Sequence, residues 1–196
     1  MGFLTEAPPK GLWVDGMEYP IHADFRAVLK YNEMIDVDSQ RPEYIQECLQ
    51  CVYKTLPENL DEAIQQLNWF VSCGKVDVRK RPANKILGIN SNTPFDFGVD
   101  GELIYSAFRR RDVYGIDLHA IKYLHWWEFM AMLNDIPDNT QLSRVMEYRV
   151  IDTTSNHLSK EQKNYYQAMQ RYYKIRMAPD KQDEELVKAL KEGRDP

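Results

Sequence analysis

Cys48 and Cys51 stand three positions apart, the spacing at which two sulfurs can share one metal ion or form a redox pair. A zinc site needs four ligands, and no second Cys-x-x-Cys or neighbouring histidine completes one here. The pair also falls inside a helix-periodic stretch, so both residues read as packed or partly exposed thiols. The four histidines His22, His119, His125 and His157 are scattered. His119 and His125 lie six positions apart and do not share a helix face as an i, i+4 metal pair would. His125, next to Trp126, reads instead as a hydrogen-bonding core residue. The paired carboxylates Asp36/Asp38, Asp61/Glu62 and Glu184/Glu185 sit in polar surroundings, where burial does not tune a pKa for acid–base work. The sequence contains no nucleophile elbow, zinc-protease helix, phosphate loop or dinucleotide fingerprint. The residues therefore predict a protein that is not an enzyme, with no catalytic, cofactor-binding or metal-binding residues.

The remaining chemistry is that of large, semi-rigid side chains. The stretch from Asp96 to Asn134 carries the densest aromatic cluster, including Trp126, Trp127 and Phe129 with Met130 beside them. A second cluster, Tyr165, Tyr166, Met169, Tyr172 and Tyr173, follows later. Such residues either fill a core or bury area against another polypeptide at modest entropy cost. Both readings stand for these nine positions, and they are the candidate partner-binding residues. The tyrosines could also stack bases, but their neighbours make no basic groove.

Net charge is −5, so the whole chain offers no favourable field to a phosphate backbone. The one basic run, Lys75 to Lys85, has five cations and one acid without interleaved aromatics and reads as a solvated linker. No stretch approaches the ~18 apolar residues that a membrane span needs, and the first residues lack the cationic and apolar regions of a signal peptide. Gly2 is not followed by the Ser or Thr at position six that acylation needs; Glu6 stands there. A soluble cytoplasmic protein with reduced thiols is expected.

The elements that would position these residues are mostly helical. Residues 1–11, with Pro8, Pro9 and Gly11, read as a flexible lead. Asp15-Gly16 between short apolar runs predicts a β-hairpin over Leu12 to Tyr19, because that dipeptide tolerates the positive φ of a type I′ turn. Helical spacing then predicts helices over Ala23 to Ile35 and, through Ile45, Cys48, Leu49, Val52, Tyr53 and Leu56, over Glu43 to Leu56. A third follows from a cap at Asn59 to a stop at Gly74. Residues 75–94 accumulate breakers and read as a long loop. Asp100 is a candidate cap for a helix through Phe108. Asp117 is a candidate cap for another that carries Leu118, Ile121, Leu124 and Trp127 on one side. Thr140 would cap Gln141 to Val150, and the Ser159-x-x-Gln162 capping box opens a helix expected to reach Met177. The fold class is mainly α: one helical domain of about six or seven helices over 12–178, an N-terminal hairpin, and a charged tail over 179–196.

Several segments together are more specific than any of these motifs. They are Val14-Asp15-Gly16 with Tyr19-Pro20-Ile21 and Phe25, Ile104-Tyr105 with Ala107-Phe108, Tyr114 to Leu118, Tyr123 to Trp127 with Phe129, and Met146 to Arg149. Through them, most of residues 12–177 resembles a family of tailed-bacteriophage proteins encoded beside the tape-measure gene in siphovirus-like phages and prophages of Gram-positive bacteria. The resemblance implies a tail assembly chaperone that holds the tape-measure protein, works with other tail assembly proteins in the cytoplasm of the infected or lysogenic host, and is absent or minor in the finished virion. It supplies no catalytic residues, and it leaves open the oligomeric state and the roles of Arg109 to Arg111 and of the preceding loop. The alternatives are a structural tail or connector component and, further off, a nucleic-acid-binding regulator using Lys75 to Lys85 and Arg109 to Arg111.

Overall fold

A computed structural model describes residues 4–35, 42–74 and 83–175. Its elements, in order, are β1 (Gly11–Val14), β2 (Met17–Pro20), α1 (Phe25–Ile35), α2 (Pro42–Gln50), α3 (Leu60–Val71), α4 (Asn84–Leu87), α5 (Gly101–Arg109), α6 (Trp126–Asn134), α7 (Gln141–Val150) and α8 (Lys160–Tyr172). Among the described residues, seven helices run nine residues or more and α4 is a single turn, so the chain is mainly α with one two-stranded hairpin. The chain divides into two compact units, Met1–Arg81 with Gly101–Gln141 and Pro82–Asp100 with Leu142–Pro196.

In the first unit the hairpin forms as its turn residues dictate. Asp15 and Gly16 both take positive φ, 50° and 74°, and β1 pairs antiparallel with β2 in the register Leu12 to Tyr19 and Trp13 to Glu18. The turn is pinned to the start of α3: the Asp15 N–H donates to Glu62 (2.9 Å) and the Asn59 amide donates to Asp15 (3.1 Å). Asn59 also caps α3 by accepting the Glu62 N–H, as its position predicted.

The unit's core is a stack of rings. Phe129 lies nearly parallel to Phe25 at 4.7 Å, to Phe108 at 5.2 Å and to Trp126 at 5.8 Å. Offset stacks of this kind add about 0.5–1.5 kcal/mol per pair beyond the area they bury. Both tryptophans also use their polar edge. The Trp126 indole N–H donates to the Val71 carbonyl (2.9 Å) and that of Trp127 to the Phe70 carbonyl (2.8 Å), so both reach acceptors at the C-terminal end of α3, where the Phe70 carbonyl also accepts the Cys73 N–H (2.9 Å). Beyond them Gly74 turns at φ +63°, and a Cβ there would stand 2.8 Å from the Trp127 ring, so both backbone conformation and space require glycine.

Two helices are shorter than their periodicity predicts, and in both cases tertiary hydrogen bonds win. α2 ends at Gln50 and not at Leu56. Val52 and Tyr53 are buried as the pattern required, but on a turn whose backbone pairs with the chain after β2: Ile21 bridges Tyr53, and the His22 N–H donates to the Val52 carbonyl (2.7 Å). α6 begins at Trp126, although the spacing of Leu118, Ile121 and Leu124 predicted a helix from Asp117. The Arg26 guanidinium takes the carbonyls of Leu118 (2.7 Å) and Ile121 (2.8 Å), which a continuing helix would have used. The Asp24 carboxylate accepts the Leu124 N–H (3.0 Å), and Phe25 and Trp126 exchange backbone bonds with Leu124 and Ala23.

His125 is then the N-cap of α6, a role for which its type gave no hint. Its Nδ1 accepts the Trp127 N–H (3.0 Å), the Glu128 carboxylate accepts the His125 N–H (3.4 Å), and Nε2 donates to the Pro9 carbonyl (2.9 Å). These partners fix the proton on Nε2. Burial pushes the imidazole pKa below its ordinary value, opposed by the Pro9 bond and by Glu128. His125 is therefore a neutral, fully engaged core residue.

The second unit is built on α7 and α8. α7 buries Leu142, Val145 and Arg149, three of the four residues of the stripe Leu142, Val145, Met146 and Arg149 that helical spacing predicts. α8 opens on the predicted capping box, with Ser159 accepting the Gln162 N–H (3.2 Å) and Gln162 accepting that of Ser159 (2.8 Å). It ends at Tyr172, five residues before the expected Met177; Met177 and the tail over 179–196 lie outside the described residues. Of the long loop over 75–94, residues 75–82 also lie outside them, while Asn84–Leu87 form α4.

Candidate interaction surface

The predicted partner-binding residues separate by burial. Trp126 (1% exposed), Trp127 (5%) and Phe129 lie inside the first unit with hydrogen bonds and ring partners of their own, and Met130 is half-buried. The three rings therefore have almost no exposed portion to present to a partner, and both indole N–H groups are engaged by carbonyls at the end of α3.

The later cluster is placed differently. α8 has no buried residue along its length. Tyr165 is 50% exposed and Tyr172 78%, with Tyr166, Met169 and Tyr173 half-buried between them. Tyr172 meets Tyr173 edge-on at 4.7 Å, and Tyr165, Tyr166 and Tyr173 gather around Tyr148 of α7. Its hydroxyl meets that of Tyr165 at 3.0 Å, its ring stacks on Tyr173 at 5.9 Å, and it lies edge-on to Tyr165 at 6.0 Å and tilted to Tyr166 at 6.3 Å. The hydrogen bond with Tyr165, and then burial, raise the Tyr148 phenol pKa above its ordinary value. The result is an aromatic surface that is preorganised on one side and open on the other.

A buried ion pair holds this surface in register. Arg149 grips Asp100 with two parallel hydrogen bonds, 2.6 and 2.9 Å, both side chains being almost fully buried. Its remaining donors reach the carbonyls of Pro94 (3.1 Å) and Tyr173 (2.6 Å), so one guanidinium joins α7, the end of α8 and the segment before α5. Asp100 was read as a helix cap; its two oxygens are taken by Arg149, and one also accepts the Asp96 N–H (2.9 Å). The carbonyls ending α7 are satisfied from outside: Asn90 and Asn92 donate to Arg149 (3.0 and 2.9 Å), and Gln170 donates to Ile151 (2.8 Å). Sequence reasoning nominated neither Tyr148 nor Arg149. The available signal was an arginine on the apolar stripe of α7, because a cation on that face must bring a buried partner.

Beside this network lies a groove of about 680 Å³ with Asn92, Asp96, Gln167, Arg171 and Lys174 on its walls. Among the described residues, no group of three or more His, Cys, Asp or Glu could hold a metal ion. Cys48 is buried and Cys51 half-buried, and burial is the largest cause raising the pKa of each, so neither is an activated thiolate. In the basic cluster Arg109 pairs with Asp117 at 3.7 Å and Arg110 is held by Asp112 and the Asn139 carbonyl, while Arg111 has no hydrogen bond or ion pair among the described residues.

A family model described as bacteriophage Gp15 protein matches residues 8–175. The chain belongs to that bacteriophage family. The match spans both aromatic clusters, from before the hairpin to the end of the described Gp15-family fold. No curated protein and no solved structure matches the chain.

Proposed function

We propose that this Gp15-family chain is a non-enzymatic tail assembly protein that holds the tape-measure protein while the phage tail is built, in the host cytoplasm and outside the finished virion. The family supports a phage role, and the motifs around Val14 to Phe25 and Tyr123 to Phe129 support the tail module. The observation that carries the binding role is α8: a 13-residue helix with no buried side chain that sets Tyr165 and Tyr172 into solvent on a rigid tyrosine base. A tape-measure protein is a long helical chain whose apolar stripes self-associate until tube subunits cover them, and an aromatic helix face masks such stripes by helix-in-groove contact.

Co-expression with tape-measure fragments, followed by affinity capture, tests the proposal. Wild type is expected to recover a fragment, and the Tyr165→Ala/Tyr172→Ala variant is expected to lose it. Equal recovery by both removes α8 from the interface. Stoichiometric amounts of the chain in purified virions would replace the chaperone reading with that of a tail or connector component.

A further inference from the structure

The solvent face of the N-terminal hairpin carries a slot that the proposed assembly role does not use. It encloses about 300 Å³ between Pro9, Gly11, Trp13, Glu18, Gln66 and Trp69. Trp13 and Glu18 sit directly opposite each other in the β1–β2 register and so point to the same face. The Glu18 side chain folds across the strand onto Gly11; a Cβ at Gly11 would stand 2.4 Å from Glu18 Oε1 and 2.7 Å from its Cγ. Glycine at this position therefore lets the carboxylate lie down into the slot. The far wall is Trp69, braced from behind by Trp127, whose ring meets it edge-on at 5.5 Å.

Three features define what such a slot accepts. The Glu18 carboxylate makes no hydrogen bond or ion pair with the described residues. Lys10, the cation next to the slot in sequence, is engaged elsewhere, with its ammonium 5.7 Å from the Tyr123 ring centroid. Trp13 remains 59% exposed, leaving an indole face open to a ligand. A slot lined by two indoles and a carboxylate attracts a cation twice, through the ring quadrupoles and through charge-assisted hydrogen bonds. The volume lies at the lower edge of the ~300–1,000 Å³ of ligand pockets, enough for one side chain and too small for a cofactor. A planar guanidinium stacks on indole and presents a donor fork to a carboxylate, where a more strongly hydrated ammonium does neither as well.

We propose that this slot binds an arginine side chain of a partner polypeptide, with the guanidinium between Trp13 and Trp69 and its N–H groups on Glu18. The site lies wholly within the first unit and does not depend on the α8 surface.

The test is an NMR titration of the full chain with N-acetyl-arginine amide, following the indole N–H signals of Trp13 and Trp69. Saturable shifts of both are expected, with N-acetyl-citrulline amide, the neutral isostere, binding about tenfold more weakly or worse. Glu18→Gln is expected to weaken arginine binding by about the same factor, because it removes the charge and keeps the shape. Gly11→Ala lifts the carboxylate out of the slot by displacing the Glu18 side chain from its Cγ outward, with no atom of another residue among the three nearest the added Cβ, and is expected to weaken binding with the backbone spectrum otherwise retained. Equal shifts with citrulline, or undiminished binding in Glu18→Gln, would overturn the proposal. So would the absence of any saturable response.

Discussion

Arg149 and Asp100 show how much one residue pair can hold in place. Desolvating two charges costs several kcal/mol each, and the pair is tolerable because the bidentate geometry and two further carbonyls leave none of the three guanidinium nitrogens without a bond. Removing one partner is then worse than removing both. Arg149→Met is expected to destabilise the protein by roughly 3–5 kcal/mol in urea unfolding, since it strands a buried carboxylate. The double variant Arg149→Met/Asp100→Leu should recover much of that loss, and a double variant no better than the single one would show that the pair does not act as a unit. His125 makes a second prediction at this scale. Its folded pKa is depressed by burial, so between that value and the ordinary ~6.5 the unfolded chain binds more protons than the folded one. The contribution is fully present above ~6.5 and is lost as pH falls through the window below it. Denaturation midpoints should therefore drop more steeply from pH 7 to pH 5 in wild type than in His125→Asn, which keeps a capping side chain without the titration.

At the scale of elements, the shortened helices explain what could and could not be read from the sequence. Local chemistry identified the hairpin turn at Asp15-Gly16, the Asn59 cap and the Ser159-x-x-Gln162 capping box, because each is settled by residues within four positions of one another. The ends of α2 and the start of α6 were not legible in the same way. Helix periodicity placed Val52, Tyr53 and Leu124 correctly inside, but the backbone there bonds to residues around Pro20 to Phe25, and no local signal announces that Arg26 will claim the carbonyls of Leu118 and Ile121. The Trp126-Trp127 pair was ambiguous for a related reason, since an indole that fills a core and one that meets a partner look alike until its N–H acceptor is known. That acceptor gives a prediction. Trp126→Phe keeps most of the ring stack but leaves the Val71 carbonyl without its N–H donor, and should cost about 1–3 kcal/mol, read as a lowered urea midpoint with an unchanged m-value. In α8 the expectation is milder: Ser159→Ala should cost about 1 kcal/mol and appear as faster amide exchange in the first turn of the helix.

At the scale of the whole molecule, a folded core is separated from a surface available for work. Trp126, Trp127 and Phe129 of the first unit are committed to neighbouring rings and, through the two indoles, to the end of α3, while the tyrosines of α8 are committed on one side only. Stability and partner capture should therefore come apart on mutation. Tyr172→Ala is expected to change unfolding free energy by no more than about 0.5 kcal/mol and Tyr165→Ala, which also gives up its contacts with Tyr148, by about 0.5–1.5 kcal/mol, while the double variant abolishes recovery of tape-measure fragments. A large loss of stability in that variant would mean that the exposed tyrosines are structural. The mainly α class and the two aromatic clusters were visible in the sequence. Which cluster faces outward was not, because burial depends on contacts made far along the chain.

The hydrogen bond from His125 Nε2 to the Pro9 carbonyl spans 116 positions and reaches into a segment that the sequence alone read as a flexible lead. Clipping the protein just ahead of Lys10 would delete that acceptor and leave the imidazole edge to solvent. Proteolysis near the amino terminus would then register as an altered titration at the entry to α6, so any tag or trimming site placed there would perturb a helix that it never touches in sequence.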